Sequence, residues 1–306
     1  MIIHNLFIPF SCGDVAIGHT APDLEKVKAS RKLKSPGRIG KNVLEICALA
    51  DCVFLGLHGA DGEDGKIQGT LDLLGIPYTG SDALSSAMAM DKAVAKRIME
   101  SAGVRTPRWI EIFYTEEDIP ALAEELPTPC VIKTVNGGSS IGVALPDTKE
   151  ELEKALSDML AYDNRIIAEE KIVGREFTQP ILDDKYLSAI EIVPPEGNGT
   201  FDYVAKYQSG KEGAREICPA PITEEQQKTL GEAAMRFHRA LGLDVYSRTD
   251  FILGADGEFY CLETNTLPGM TPNSLIPKAA KIEGLSYPEL CEKIVVMSLE
   301  ARKQGR

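Results

Sequence analysis

The sequence predicts an α/β protein assembled from three α+β units, and three observations carry that prediction. A buried strand candidate, Asp51 to Leu57, ends in a loop crowded with Gly and Asp, His58 to Gly65. A strand, a Gly-Ser loop, a helix and a second strand follow in order between Cys130 and Glu170. The strongest helical pattern, after Thr223, leads into a two-stranded ribbon from Thr249 to Asn265. A chain of 306 residues, 43% of them hydrophobic, can bury such cores. The breaks in pattern divide it at 1–85, 86–172 and 173–306.

In the first unit the 58–65 loop lies beyond the carboxyl end of a buried strand, a common place for ligand crevices. Residues 18–35 are basic, polar and weakly patterned, which predicts a long surface segment. Met90, Val94 and Ile98 recur every four residues and predict one helix from about Ser86 to Gly103. Pro107 and Trp109 begin a connection, Cys130 to Val135 is a short strand, 151–160 a helix, and Arg165 to Glu170 another strand. In the last unit Tyr186 to Val193 alternates like a strand, and a loop follows at Gly197-Asn198-Gly199. Thr223 and Gln226 form a capping box for a helix buried along Leu230, Ala234, Phe237 and Leu241, with Gly242 at its end. Leu290, Ile294 and Met297 outline a terminal helix.

Charge and cysteine usage narrow the function classes. Lys plus Arg total 33 against 46 Asp plus Glu, a net charge of -13 that disfavours nucleic acid or an anionic membrane as partner. The seven cysteines are odd in number, widely spaced and free of Cys-x-x-Cys pairs, as in a reduced cytoplasmic protein. The four histidines have no zinc-ligand spacing, and no apolar run is long enough to span a membrane.

The ribbon carries the sharpest chemical signal. If Asp256-Gly257 is a two-residue hairpin loop, Ala255 faces Glu258 and Asp250 lies opposite Glu263, so Asp250, Glu263 and Asn265 project together. Two facing carboxylates repel, and a divalent cation relieves the repulsion; an all-oxygen set suits magnesium or manganese. A solvated hairpin with scattered charges is the plain alternative. Arg248, two residues from Asp250, points to the same face and to any phosphate there. About 115 residues earlier, Lys133 precedes Asn136-Gly137-Gly138-Ser139-Ser140-Ile141-Gly142, flexible amides and hydroxyls fit to wrap phosphate oxygens, though the common phosphate-loop motif is absent. With Lys92 on another element, a clamp over polyphosphate is the better reading than a simple turn. Lys206-Tyr207, in a segment that reads as a loop, can reach a terminal phosphate or be surface charge. Glu169 and Glu176 have carboxylates suited to adenine and ribose groups, but spacing alone favours solvated glutamates.

These residues resemble the D-alanine–D-alanine ligase family of ATP-grasp carboxylate-amine ligases over roughly 51–295. The markers include Leu57-His58-Gly59 with Gly62-Glu63-Asp64-Gly65, Met90-Asp91-Lys92, Lys133 with Gly138-Ser139-Ser140, Lys206-Tyr207, Arg248-Thr249-Asp250, and Glu263-Thr264-Asn265 running on to Pro268-Gly269-Met270 and Asn273-Ser274. The resemblance implies an ATP-grasp fold preceded by a small Rossmann-like N-terminal domain. It also implies ligation of two D-alanines through an acyl phosphate, for peptidoglycan precursors, in the cytoplasm. It assigns Lys92, Lys133 and Lys206 to ATP phosphates, Glu169 and Glu176 to adenosine, and Asp250, Glu263 and Asn265 to two magnesium (or manganese) ions. Arg248 and a backbone amide near Gly269 would stabilise the acyl phosphate and tetrahedral intermediate. His58, Ser139, Tyr207 and Ser274 would line the dipeptide site. A homodimer is a further expectation from the resemblance alone.

The front of the chain departs from the pattern. It begins Met1-Ile2-Ile3-His4-Asn5, no glutamate matches the one that holds the first D-alanine in the family, and the pattern resumes only near Pro22 or Ile39. An atypical or incomplete first domain is therefore expected. Asn273 and Glu170 stand where some relatives carry histidine and lysine. By the same resemblance Tyr207 favours an amine over a hydroxy acid as second substrate, and two alternatives stay open: a D-alanine:D-serine ligase, since a serine hydroxyl changes only a small part of the second pocket, and an impaired ligase that acts as an ATP-binding regulator.

Overall fold

A computed structural model describes residues 2–3, 39–137, 142–194 and 214–303. The first elements are β1 (Ile2–Ile3), α1 (Lys41–Cys47), β2 (Phe54–Leu55) and α2 (Lys66–Leu73), with β1 and β2 paired in parallel. The buried strand read over 51–57 is thus shorter, extended by a single bridge between Val53 and Tyr78. Residues 18–35 lie outside the described residues, as does the Gly197-Asn198-Gly199 loop.

The single helix expected from Ser86 to Gly103 is two, α3 (Ala83–Met90) and α4 (Lys92–Ser101). Asp91 breaks it: its backbone is extended and its carboxylate accepts from the Val94 amide at 2.9 Å, capping the second helix. Lys92 therefore occupies the first position of a helix. Its amide donates to the Val135 carbonyl, and Asp91 bridges Asn136, so this helix start is fixed to the end of a strand.

A four-stranded sheet follows, built from β3 (Trp109–Phe113), β4 (Cys130–Thr134), β5 (Val143–Ala144) and β6 (Arg165–Glu170) in the order β3-β6-β4-β5. Trp109, read as the start of a connection, instead opens an edge strand paired with Glu169. The helices α5 (Ile119–Glu125) and α6 (Lys149–Met159) share a core with this sheet through Ile119, Leu152, Leu156, Ile132 and Ile166.

The largest sheet contains β7 (Gly174–Leu182), β8 (Lys185–Tyr186), β9 (Ile190–Val193), β10 (Arg215–Ile217), β11 (Tyr246–Gly254) and β12 (Phe259–Asn265), in the order β10-β9-β7-β11-β12 with β8 on β7. The central strand β7 left no periodic signal. Phe177 to Leu182 are all buried, so apolar and polar residues do not alternate, and Pro180 argues against a strand. The helix α7 (Glu224–Ala240) matches its reading: the Thr223–Gln226 capping box forms, and Leu230, Ala234, Phe237 and Leu241 are fully buried. These side chains share one core with Met99 of α4 and with Phe251 and Cys261 of the hairpin. The chain ends in α8 (Leu275–Ile282) and α9 (Tyr287–Lys303), whose Ile276, Leu290 and Ile294 pack with Tyr78 and Tyr246. No helix among the described residues is long and apolar enough to cross a membrane, and their cysteines are free thiols.

Candidate active site

The hairpin reaches the expected pairing by another route. Gly254 and Glu258 close a three-residue loop in which Gly257 has φ 80°, a left-handed conformation that glycine adopts without strain. That loop alone would set Asp250 against Leu262. A bulge between Asp250 and Phe251 restores the register, so Asp250 pairs with Glu263 and Arg248 with Asn265. The two-residue loop expected from Asp-Gly is corrected, while the carboxylate pair it implied is present.

Asp250 is 5% exposed and heavily partnered. Arg248 grips both of its oxygens, Nε to Oδ1 at 3.1 Å and Nη2 to Oδ2 at 3.0 Å. Thr178 of β7 donates at 2.7 Å, and the Asn265 amide donates at 3.4 Å, leaving the Asn265 carbonyl oxygen to face other ligands. Glu263 is approached by Lys92 Nζ at 3.5 Å, and Lys92 also donates to the Gly137 carbonyl. Among the described residues no trio of histidine, cysteine, aspartate or glutamate gathers around one point. The donor set is two carboxylates and an amide, all oxygen, which fits a hard divalent cation.

Lys133 projects from β4 and meets Glu169 Oε2 at 2.7 Å; Lys96 of α4 meets Glu169 Oε1 at 2.7 Å. Burial pushes the Glu169 carboxyl up, but the Lys133 and Lys96 ammoniums override it and hold the group below its usual range. Each carboxylate oxygen keeps a second lone pair, so an adenine amino group could still be accepted there. Glu176 is half-buried on β7, whereas Glu169 is on β6, so the two proposed adenosine carboxylates come from different sheets joined through 171–173.

On the other side, His58 Nδ1 is 2.8 Å from the Leu267 carbonyl, and Glu63 accepts from the amides of Gly59 at 2.8 Å and Leu267 at 3.1 Å. Burial raises the Glu63 carboxyl above its usual range despite those two amides. Glu63 thus ties the His58 loop to the segment after β12, a role its place in a Gly-Asp loop gave no reason to assign. Ser274 stands just before α8 with its hydroxyl turned away from the helix, accepting from the Thr271 amide at 3.0 Å; a side chain at Gly269 would meet that hydroxyl at 3.0 Å. His58 and Thr271 line one cavity of ≈ 820 Å³ with Met270 and Tyr287. A smaller cavity joins Glu63, Lys92, Gly137, Glu263 and Asn265. Ser139, Lys206 and Tyr207 lie outside the described residues.

Comparison with known proteins points to one family. A model described as the D-ala D-ala ligase C-terminus matches residues 98–296, and one described as the D-ala D-ala ligase N-terminus matches 15–81. The chain belongs to the D-alanine–D-alanine ligase family. It is an ATP-grasp ligase, with an N-terminal subdomain ahead of the catalytic core. The D-alanine–D-alanine ligase of Desulfotalea psychrophila is 45% identical over 265 residues, covering 84% of this chain and 80% of that protein. The Bacillus anthracis D-alanine–D-alanine ligase complexed with ATP superposes with a TM-score of 0.71 at 33% identity, over 87% of this chain and 84% of that one. The VanG D-Ala:D-Ser ligase of Enterococcus faecalis gives 0.72 at 35%, over 81% and 73%. The N-terminal match begins at residue 15, ahead of the point near Pro22 where the sequence alone regains the family pattern.

Proposed function

We propose that this chain ligates two D-alanines to D-alanyl-D-alanine at the expense of ATP, for peptidoglycan precursors, in the cytoplasm. The observation that carries the reading is the Asp250–Glu263 pair with Asn265 beside it and Lys92 approaching from another element. Asp250, Glu263 and Asn265 would hold magnesium or manganese, two ions in the family's manner. Bound there, the ions would neutralise charge on the phosphates and the transferring phosphoryl group.

The chain's own residues do the rest. Lys92 and Lys133, with Lys206, hold phosphate oxygens; Glu169 and Glu176 accept from adenosine. Arg248 uses Nε and Nη2 on Asp250 and keeps further donors for the acyl phosphate. Those donors and the amide near Gly269 then face the oxyanion formed when the second amine attacks. His58, Ser139, Tyr207 and Ser274 line the dipeptide site, which must exclude water to spare the acyl phosphate. The division at 85 and 172 belongs to the same proposal, as does a homodimer.

Phosphate release with ATP, magnesium and D-alanine, with the product identified by mass, tests the reading. Release of D-alanyl-D-alanine supports it; a mixed dipeptide formed preferentially with D-serine moves it to the second substrate class, to which the structural likeness to a D-Ala:D-Ser ligase lends support. ATP binding without dipeptide identifies an impaired ligase or regulator.

A further inference from the structure

Lys96 stands out because nothing in the proposed chemistry uses it. Its side chain is 1% exposed, on the face of α4 that also buries Ala93, Ala95 and Met99. An ammonium loses its hydration there, and a methionine of similar shape would fill the space without that loss. The ammonium has two polar neighbours: Nζ lies 2.7 Å from Glu169 Oε1 and 2.6 Å from the Thr106 hydroxyl, which donates onward to the Cys261 carbonyl at 2.9 Å. Cys261 is two residues before Glu263 on β12. One buried side chain therefore links the strand of Glu169 to the strand of the acidic pair.

The charge arithmetic gives the link a function. Glu169 is shared between Lys96 on its buried side and Lys133 on the side nearer solvent, where the Lys133 side chain is 12% exposed. Two ammoniums and one carboxylate leave one net positive charge. Without Lys96, the Glu169 charge would act on Lys133 undivided, and an arriving phosphate would compete with the whole carboxylate for that ammonium.

We propose that Lys96 is a positioning residue for the nucleotide's phosphates: by sharing the charge of Glu169 from the buried side, it weakens that carboxylate's hold on Lys133, so that the Lys133 ammonium can turn to a phosphate oxygen. The inference deepens the ATP reading above and rests on it. Burial draws the Lys96 ammonium below the usual lysine range while Glu169 opposes that shift, consistent with a group whose charge depends on this partner.

The test compares ADP with adenosine, which lacks phosphate, as calorimetric ligands for the wild-type protein, Lys96→Met and Lys96→Gln. Glutamine keeps a donor for Glu169 and Thr106 but not the charge. Thermal midpoints follow folding, and steady-state KM is read for ATP and D-alanine. Losing one charge-assisted contact to phosphate should weaken ADP about tenfold or more in both variants. Adenosine affinity and the KM for D-alanine should move less than about twofold. Equal weakening of ADP and adenosine, unchanged ADP binding, or failure of both variants to fold would overturn the proposal, the last because Lys96 would then serve the fold. A wild-type protein that binds neither ligand would instead sink the ATP reading itself.

Discussion

The hairpin and the lysine cluster hold comparable charges by opposite means. On the hairpin, Asp250 has Arg248 two residues away and Glu263 across one turn, so local pairing builds the group. In the cluster, Lys96, Lys133 and Glu169 come from a helix and two strands, and only packing brings them together. The difference is also one of redundancy. Among the described residues Asp250 has a single cation in direct ion-pair contact, whereas Glu169 has two.

That contrast breaks first under substitution of one cation on each side. Arg248→Met strands Asp250 among hydroxyl and amide donors and should cost about 3–5 kcal/mol in urea unfolding. Lys133→Met leaves Glu169 paired with Lys96 and should cost only about 1 kcal/mol. Equal losses would show that the two regions do not differ in this way.

The hairpin's buried underside supplies the next test. His238 of α7 sits 2.7 Å from Ser247 of β11, and burial lowers its pKa from 6.5 to about 4. As pH falls through 6.5 the unfolded chain takes up a proton that the folded chain refuses until about pH 4. Stability is therefore lost across that window, by about 3 kcal/mol in all. His238→Gln should remove this component from the pH dependence of unfolding; an unchanged profile would refute the assignment.

Glu263→Gln tests the catalytic half of the contrast. It removes a proposed cation ligand, and phosphate release should fall on the order of 100-fold, equivalent to about 2.7 kcal/mol of barrier. Turnover near the wild-type rate would remove Glu263 from that role. The smallest effect is expected at Thr223→Ala, which deletes the capping box of the helix behind the hairpin and should cost about 1 kcal/mol. ADP affinity, governed by the lysine side, should stay constant in that variant.

Much of the site was legible because its signals were short in sequence. Alternation placed Asp250, Glu263 and Asn265 on one face, and the Thr223 capping box fixed the start of α7. The loop length was misread, yet the bulge at Asp250/Phe251 compensated, since side-chain register depends on the sum of loop and bulge. Lys96 carried a weak signal: a lysine one turn after Lys92, surrounded by Ala93, Ala95 and Met99, lies on the wrong face for solvent. The half-buried stripe of Met90, Val94 and Ile98 drew the reading to the neighbouring face instead.

The sequence by itself determined the hairpin carboxylates and the long helix behind them, because each depends on neighbours a few residues away. Tertiary structure decided the rest. The central strand β7 is buried on both faces and loses its period, Asp91 splits a helix by capping it, and Glu169 finds two lysines 36 and 73 positions away. Those outcomes follow from which surfaces exclude water against one another, a property of packed elements that no local pattern encodes.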